Sequence, residues 1–438
     1  MADPKETNEK YNVKRFRSVG KDHPDYGQAR DWLQAVGFGF HDEQRSDELI
    51  DKILAMYQTD NRELTGVYLN DEPPLHALHP GFPVATFGTL ENKLNVGFGQ
   101  ELRTRQITAV TVRGTHRRHG ILRGMMTADL ADAKDDGFAM AALTASEASI
   151  YGRFGFGVAT FERSIKVDTG PKFRIRHEPV GRVEIADPKV LLELAPEVFE
   201  QVHHRTPGSI VRQDSYRHHV SGAIKRDGSE DKAIKCALHY APDSTVDGYV
   251  SYKFAGWDTK PYTVEIVDLV AASDSAYLEL WQFLGSLDLV EQVSWPDAPV
   301  EDPLAWALVD GRCVTSSDYR DMLWLRVLDV PAALSARRYG ADGRLVLEVR
   351  DTLGFADGTW ELTSDGGVVT VSDAGVGSQD ISPDLSMDVP DLGSVFLGAV
   401  SPVILASAGR IREHTPGAAL AAQHMFAVER PAHCLTHF

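Results

Sequence analysis

Residues 108–157 read TAVTVRGTHRRHGILRGMMTADLADAKDDGFAMAALTASEASIYGRFGFG. The first residues are rich in β-branched and apolar side chains, which is typical of a strand. A basic turn containing Gly120 follows, and apolar residues then recur at the 3.6-residue period of a helix as far as Gly137. A second apolar stretch over 138–145 leads to a polar turn and Tyr151. The order predicted is strand, basic turn, helix, strand, polar turn and tyrosine.

The turn from Arg117 to Arg123 has the chemistry of an anion site. A helix N-terminus leaves its first backbone N–H groups unpaired and carries about half a positive charge, so it favours an anion such as a pyrophosphate. Gly120 allows a close approach to the backbone, and the arginines add charge-assisted hydrogen bonds. No Gly-Lys-Ser/Thr follows, which excludes a P-loop, and the missing G-x-G-x-x-G disfavours a dinucleotide fingerprint. The remaining alternative is a solvated basic turn before an amphipathic helix.

Length and composition set wide limits on the whole chain. At 438 residues it exceeds one ordinary core, so two or three domains are expected. Its start lacks an apolar signal core, and no apolar run approaches the ~20 residues of a membrane span, so we expect a cytoplasmic protein without a membrane partner. A net charge of -18 disfavours nucleic acid as a partner and is compatible with polycationic substrates.

The cysteines and histidines predict neither a disulfide nor a metal site. Cys236, Cys313 and Cys434 are widely separated and form no CxxC pair, so reduced thiols are expected. The histidine pairs at 203–204 and 218–219 point neighbouring side chains to different faces, and no HExxH is present. Structural or solvated histidines are therefore expected, and no metal.

The residues before the opening stretch predict further helices and strands. Helices are expected over 26–36 and 47–58, and strands over 13–18, 62–69, 82–90 and 104–112. Residues 77–99 are rich in Gly, Pro and Asn, and they predict a mobile loop region around one strand. Phe38 and Phe40 could wall a pocket, although aromatic residues beside a turn more often pack into a core.

Three motifs together resemble a known enzyme family. They are THRRHGILR at 115–123, LTASE at 143–147 and IYGRFGFG at 150–157. The turn fits the Arg/Gln-x-x-Gly-x-Gly/Ala coenzyme A signature of GCN5-related N-acetyltransferases, except that Leu122 occupies the last small position. The combination resembles the Eis (enhanced intracellular survival) acetyltransferase family over the whole chain. This resemblance implies an α+β fold with mixed sheets, made of two tandem acetyltransferase domains over 1–172 and 173–317 and a sterol-carrier-like domain over 318–438.

The resemblance also implies an activity and a set of site residues. The activity is direct acetyl transfer from acetyl-coenzyme A, without a metal, to primary amines of polyamino compounds such as aminoglycosides, lysine or polyamines. Tyr151 would be the general acid and the carboxylate of Phe438 the general base, while a packing tyrosine and a docked last strand are the structural alternatives. The implied cofactor-binding residues are Val110, Thr111, Val112, Arg117, Arg118, His119, Gly120, Ile121, Leu122, Arg123, Ser146 and Glu147.

The second and third domains are expected to support this site. The strand ending at Ala272 meets its helix through Ser273-Asp274-Ser275, without a glycine turn or an arginine, so we infer a degenerate copy that does not hold coenzyme A. The third domain raises an alternative function, a lipid-binding or assembly protein with a vestigial acetyltransferase fold. The penultimate His437 departs from the family, because it cannot hold a cationic substrate as an acidic residue would. A homo-oligomer, a hexamer, is also implied.

Overall fold

The computed structural model describes residues 10–145, 147–225, 227–375 and 382–438. Its strands, in chain order, are β1 Tyr11–Arg17, β2 Glu63–Leu69, β3 Ala85–Gly97, β4 Gln100–Val112, β5 Met140–Thr144, β6 Gly157–Val158, β7 Phe161–Asp168, β8 Arg182–Ala186, β9 Lys235–Tyr240, β10 Val246–Phe254, β11 Thr263–Ala271, β12 Gln292–Pro299, β13 Val314–Asp321, β14 Leu323–Val327, β15 Gly343–Arg350, β16 Gly358–Asp365, β17 Val368–Asp373, β18 Leu385–Asp388 and β19 Ile411–Glu413. Its helices are α1 Tyr26–Gly39, α2 Asp47–Thr59, α3 Ile121–Asp135, α4 Ala148–Tyr151, α5 Leu191–Arg205, α6 Ser215–Val220, α7 Asp274–Gly285, α8 Leu304–Ala307, α9 Val330–Ser335, α10 Val389–Val395, α11 Pro402–Ser407 and α12 Ala418–Phe426. Among these described helices, none has both the length and the apolar character needed to cross a bilayer.

The first sheet carries the stretch 108–157. Its strand order is β1-β2-β3-β4-β5-β14-β6, and β4 and β5 are parallel. The parallel register runs from Arg105 to Ile107 on β4 and from Ala141 to Leu143 on β5. The crossover between them is α3, whose apolar face is buried against the sheet. Because β4 continues five residues past this register, the two strands separate and leave a cleft beside the start of α3.

Two strands are exchanged between the first and second sheets. The second sheet has the order β13-β7-β12-β11-β10-β9-β8, so the chain passes from the first sheet to the second between β6 and β7. In return, β14 lies between β5 and β6 and is antiparallel to both. The chain therefore changes sheets near Thr160 and Met322, whereas the predicted domain boundaries lie at 172 and 317. The division into three domains at those boundaries stays a prediction.

The second and third sheets complete the α+β architecture that the sequence predicted. In the second sheet the parallel strands β11 and β12 are joined by α7, as β4 and β5 are joined by α3. The third sheet has the order β17-β16-β15-β18-β19. Its apolar core is continuous with Leu323, Leu325 and Val327 of β14. The third domain therefore packs directly against the first sheet.

The β3 strand is longer than the one strand, over 82–90, that the sequence predicts inside the loop region 77–99. It extends from Ala85 to Gly97 and pairs with β4 as far as the hairpin turn. Asn92 and Asn95, which suggested a loop, are buried, and their side-chain amides donate to backbone carbonyls of residues 211 and 203 at 2.8 and 2.6 Å. These acceptors lie in the second domain, so local composition could not reveal them.

Candidate active site

The α3 helix begins at the basic turn without a side-chain cap. Gly120 precedes the helix with φ of 79°, in the left-handed region, and no side chain bonds to the first N–H groups. Arg118 also has a positive φ, of 66°. These two residues reverse the chain sharply between β4 and α3. The first backbone donors of α3 are therefore available to an anion.

Three arginines surround this helix start. Arg117, Arg118 and Arg123 are all exposed. Across the ranges that the structure describes, their guanidinium groups form no ion pair or hydrogen bond with another residue. A phosphate group at the start of α3 would therefore meet cationic donors that are not already committed to carboxylates of the chain.

A cavity of 880 Å³ lies against the turn and is lined by most of the residues that were predicted to bind the cofactor. The predicted residues in its wall are Val110, Thr111, Val112, Arg117, Arg118, Gly120, Ile121, Leu122, Arg123 and Glu147. His119 is not in this wall, because its ring packs against the ring of Tyr11 at 6.3 Å. Ser146 lies outside the described residues. The structure thus brings together two separate motifs of the sequence, the turn and the polar end of β5.

The end of β4 forms the other wall of the cavity. Ala109 has φ of 51°, and the register between β3 and β4 shifts at this point, as in a β-bulge. The hydroxyl of Thr86 donates to the carbonyl oxygen of Ala109 at 2.8 Å and holds the bulge. Residues 110–112 lie beyond the register with β5. Their backbone therefore borders the cavity.

A second pocket, of 440 Å³, meets the cavity at Tyr151. Phe40, Val110 and Tyr151 line both spaces. Tyr151 ends α4 and is buried, with its ring edge-on to Phe156 at 6.3 Å. Phe40 is 47% exposed, so it walls the pocket and does not pack into the core. We call the 880 Å³ space the donor cavity and the 440 Å³ space the acceptor pocket, after the roles that the family resemblance implies for the residues around them.

Phe438 lies in the wall of the acceptor pocket, together with Tyr151. Thr144, the last residue of β5, donates its hydroxyl to the backbone oxygen of Phe438 at 2.8 Å. The preceding residue is fixed as well, because the Tyr216 hydroxyl accepts from the backbone N–H of His437 at 2.6 Å. The chain end therefore reaches the site at which the splayed strands of the first sheet separate.

Charged side chains form a cluster beside the chain end. Glu162 Oε1 accepts from Arg320 Nε at 2.6 Å, and Glu162 Oε2 lies 3.2 Å from His437 Nε2. Arg320 also donates to Asp297 Oδ1 at 2.7 Å. Burial would raise the pKa of Glu162, but its contacts with His437 and Arg320 lower the pKa below the ordinary value. Glu162 is therefore an ionised carboxylate in the wall of the acceptor pocket.

The same cluster has the spacing of a metal site but already contains a cation. Glu162, Asp297 and His437 each place one possible ligand atom within 4.8 Å of the others. The guanidinium of Arg320 bonds to both carboxylates. The group is thus an ion-pair network whose positive charge comes from the chain itself.

The first histidine pair, at 203–204, contacts neighbouring side chains of the chain. His203 is buried, and its Nδ1 lies 3.2 Å from Ser209 Oγ. His204 Nδ1 lies 3.0 Å from Glu101 Oε1. Burial lowers the pKa of His203 to about 4, which keeps this imidazole neutral. These partners agree with the expected structural roles.

The α7 helix differs from α3 at its start. Ser273 caps α7 by accepting from the backbone N–H of Ala276 at 3.0 Å. Asp274 in the first turn is ion-paired with Arg205 at 2.6 Å. One of the first N–H donors and the positive end of α7 therefore contact oxygen atoms of the chain itself, in contrast to α3. That this copy does not hold coenzyme A stays a prediction.

Sequence reasoning missed residues that reach the site from the second sheet and from the third domain. Glu162 and Arg320 lie on β7 and β13 of the second sheet and enter the acceptor pocket because of the strand exchange. Thr352 and Leu353 follow β15 of the third domain and line the donor cavity. No spacing in the sequence marks these residues. The one available signal is that the acidic Glu162 directly follows the largely apolar residues 154–161.

Family models match the three parts of the chain. A model described as an acetyltransferase (GNAT) domain matches residues 27–159, and another of the same description matches residues 208–327. A model described as a sterol carrier protein domain matches residues 330–435. The fold expected from the sequence is thereby confirmed.

Proteins named as N-acetyltransferases match this chain over most of their length. A Streptomyces avermitilis protein named as an uncharacterized N-acetyltransferase is 34% identical over 402 residues, which cover 89% of this chain and 91% of that relative. The N-acetyltransferase Eis of Mycobacterium tuberculosis is 32% identical over 325 residues, which cover 71% of this chain and 75% of Eis. The crystal structure of Eis1 from Mycobacterium abscessus has a TM-score of 0.77 at 27% identity, and the match covers 98% of this chain and 100% of Eis1.

Proposed function

The chain belongs to the Eis family of GCN5-related N-acetyltransferases, and on this premise we propose that it transfers acetyl from acetyl-coenzyme A to a primary amine. One observation carries the proposal. Tyr151 is in the wall of both the donor cavity, which starts at a basic helix N-terminus, and the acceptor pocket, which ends at Phe438. A donor and an acceptor bound in these two spaces would meet at one tyrosine.

The donor cavity suits a pyrophosphate and a pantetheine arm. The uncapped start of α3, Gly120 and the exposed arginines would bind the pyrophosphate. The edge of β4 over residues 110–112 would pair with the pantetheine amides, and Glu147 would line the cofactor near the end of β5. Acetyl-coenzyme A supplies the thioester carbonyl. Ser146, as the sequence predicts, would belong to the same wall.

Tyr151 and the chain end are the proposed proton-transfer groups. An alkylammonium of pKa ~10.4 is about one part in a thousand neutral at pH 7, so removing its proton costs ~4 kcal/mol. The carboxylate of Phe438 would receive that proton first, and Tyr151 would protonate the leaving sulfur. The backbone N–H near Val112 would stabilise the carbonyl oxygen as it gains negative charge. Transfer is then direct, without an acyl-enzyme.

The acceptor pocket favours a cationic substrate. Its wall contains the carboxylates of Glu162 and Asp321 beside the chain end. Arg320 offsets part of this negative charge. We propose polyamino compounds, namely aminoglycoside-like molecules, lysine or polyamines, as the acceptor class.

An amine-panel assay tests the proposed function. Purified protein would be mixed with acetyl-coenzyme A and single amines, and the release of free thiol would be followed with a thiol reagent. We expect thiol release that depends on both enzyme and amine, with mass spectrometry showing one added acetyl per thiol. If saturable acetyl-coenzyme A binding occurs without amine-dependent thiol, the chain is instead a vestigial acetyltransferase with a binding or assembly role.

Oligomerisation and location stay predictions. The resemblance implies a homo-hexamer, and light scattering coupled to gel filtration measures the number of subunits. A cytoplasmic location is tested by fractionating the source cells and probing each fraction with an antibody.

A further inference from the structure

One side chain of the second domain fixes the backbone of His437. Tyr216, in α6, accepts from the backbone N–H of His437 at 2.6 Å and donates to its carbonyl oxygen at 3.2 Å. The Tyr216 ring lies 4.5 Å from the guanidinium of Arg212. Arg212 in turn donates to both carboxylate oxygens of Asp268, at 2.6 and 2.7 Å. The backbone of His437 is thus fixed within the acceptor pocket by Tyr216, which is itself held by Arg212.

The imidazole of His437 is oriented by a buried carboxylate. Nε2 lies 3.2 Å from Glu162, whose side chain is 2% exposed. No residue in the described ranges bonds to Nδ1, and the side chain is 45% exposed. Because His437 also lines the acceptor pocket beside Tyr151 and Phe438, one nitrogen is paired with an acid and the other remains able to exchange a proton.

We propose that His437, oriented by Glu162, is the general base that finally holds the proton removed from the acceptor amine. This inference rests on the proposed function and names a proton acceptor that the family resemblance does not supply. An α-carboxylate has a pKa of about 3.5 and is too acidic to retain the proton, whereas an imidazole titrates near neutral pH. A base is most efficient when its pKa lies near the working pH.

The proton balance of the step is simple. The substrate ammonium gives one proton to neutral His437, directly or through the Phe438 carboxylate. The nitrogen lone pair then forms the new N–C bond at the thioester carbonyl carbon while the C–S bond breaks. The sulfur takes a proton from Tyr151, and the second proton lost by the nitrogen restores Tyr151 through solvent. His437 releases its proton to solvent before the next turnover.

Several charged groups around His437 set the pH at which it works. Burial lowers its pKa, but the contact and charge of Glu162 on β7 raise it, as does Asp297 on β12. Arg320 on β13 opposes them, and the net pKa of His437 is raised above 6.5. Asp321 and the Phe438 carboxylate line the same pocket. Since the base must be neutral, activity is expected to rise with pH through this elevated pKa.

The test uses His437→Gln, which keeps the backbone bonds to Tyr216 and removes the titrating ring. We expect kcat/KM at neutral pH to fall about 10²-fold for an amine of pKa near 10, with unchanged acetyl-coenzyme A affinity. The loss should be smaller for amines of lower pKa, because a larger fraction of such an amine is already neutral at the assay pH. His204→Gln is the control, because His204 is also paired with a glutamate but lies outside the acceptor pocket. An equal loss for all amines would show a merely structural role and overturn the inference.

A second variant and a direct titration separate the alternatives. Glu162→Gln should lower the His437 pKa, measured by histidine NMR, and move the rising limb of the pH profile to lower pH by the same amount. If the rise of activity with pH persists in His437→Gln but disappears when one residue is added after Phe438, the carboxylate is the base and the inference fails. If wild-type protein acetylates no amine, the proposed function itself fails.

Discussion

At the scale of single residues, Tyr151 is the residue on which the proposed chemistry depends most. Tyr151→Phe removes a hydroxyl and keeps the ring that packs edge-on against Phe156. We expect kcat to fall about 10²-fold, because the leaving sulfur loses its proton donor, while the dissociation constant of acetyl-coenzyme A stays nearly unchanged. Steady-state kinetics and isothermal titration calorimetry measure the two quantities.

Tyr339→Phe is the matched control for this change. Its hydroxyl donates to the carbonyl oxygen of Leu334 at 2.9 Å within the third domain, and Tyr339 does not line the acceptor pocket. We expect this variant to lose about 1 kcal/mol of stability and no activity. Wild-type turnover by Tyr151→Phe would exclude Tyr151 from the reaction.

At the scale of elements, the two ends of α3 provide an internal comparison. Gly120 and Gly137 flank the helix with φ of 79° and 78°. Replacing either with alanine should cost about 1–2 kcal/mol of stability, because an L side chain is strained in the left-handed region. Only Gly120→Ala should also weaken acetyl-coenzyme A binding, by about tenfold, because only that glycine borders the donor cavity. Equal affinities in the two variants would contradict the placement of the pyrophosphate at this turn.

The same elements show what the sequence could predict. The α3 helix, its basic turn and the strand after it were predicted because their signals are local: an amphipathic period, a glycine at each end and an apolar strand. The length of β3 was not predicted, because its asparagines are satisfied by carbonyls of residues 203 and 211. Local pattern thus predicted the residues that line the donor cavity, whereas the acceptor pocket depends on contacts between distant segments.

Glu162 illustrates why the acceptor pocket was mostly missed. It lies on β7, which belongs to the second sheet, and its partners Arg320 and His437 come from two further segments. Nothing in the spacing of these residues indicates that they meet. The sequence did predict Phe438 for the site, on the basis of family resemblance, and the structure places Phe438 in the same pocket as Tyr151.

At the scale of the whole molecule, a buried ion pair joins the first sheet to the third domain. Arg326 of β14 donates to Asp351 at 2.6 Å, and the two side chains are 0% and 1% exposed. Asp351 also accepts from the backbone N–H of Leu353 at 3.1 Å, which fixes the loop that lines the donor cavity. The pair therefore connects the packing of two domains to the shape of the donor cavity.

Breaking this pair should damage stability and binding together. Arg326→Met is expected to lower the free energy of unfolding by about 3–5 kcal/mol, because it leaves the buried charge of Asp351 without a partner. Thermal denaturation measures the loss, and acetyl-coenzyme A affinity should fall as the Leu353 loop loosens. Arg326→Met combined with Asp351→Asn should recover part of the stability. The control is Arg344→Met, which breaks a half-exposed pair with Glu361 and should cost less than about 1 kcal/mol.

The ion pair also predicts a dependence on pH. Burial would raise the pKa of Asp351, but the charge and hydrogen bond of Arg326, together with backbone N–H groups of Ala356 and Leu353, lower it below the ordinary value. Its contribution to stability is thus present above the unfolded-state pKa of about 3.9 and is lost as the pH falls through the lower folded pKa. Denaturation of the wild type at acid pH should therefore show a loss that is absent in the double variant.

The strand exchange has a consequence for how the protein is made. During synthesis a ribosome releases a chain from its N-terminus, and a domain usually folds once its own residues have emerged. Here β14 must fill the gap between β5 and β6, and it is translated after the second sheet. The first sheet can therefore be completed only after the second sheet has been translated, and until then β5 and β6 lack the strand that lies between them.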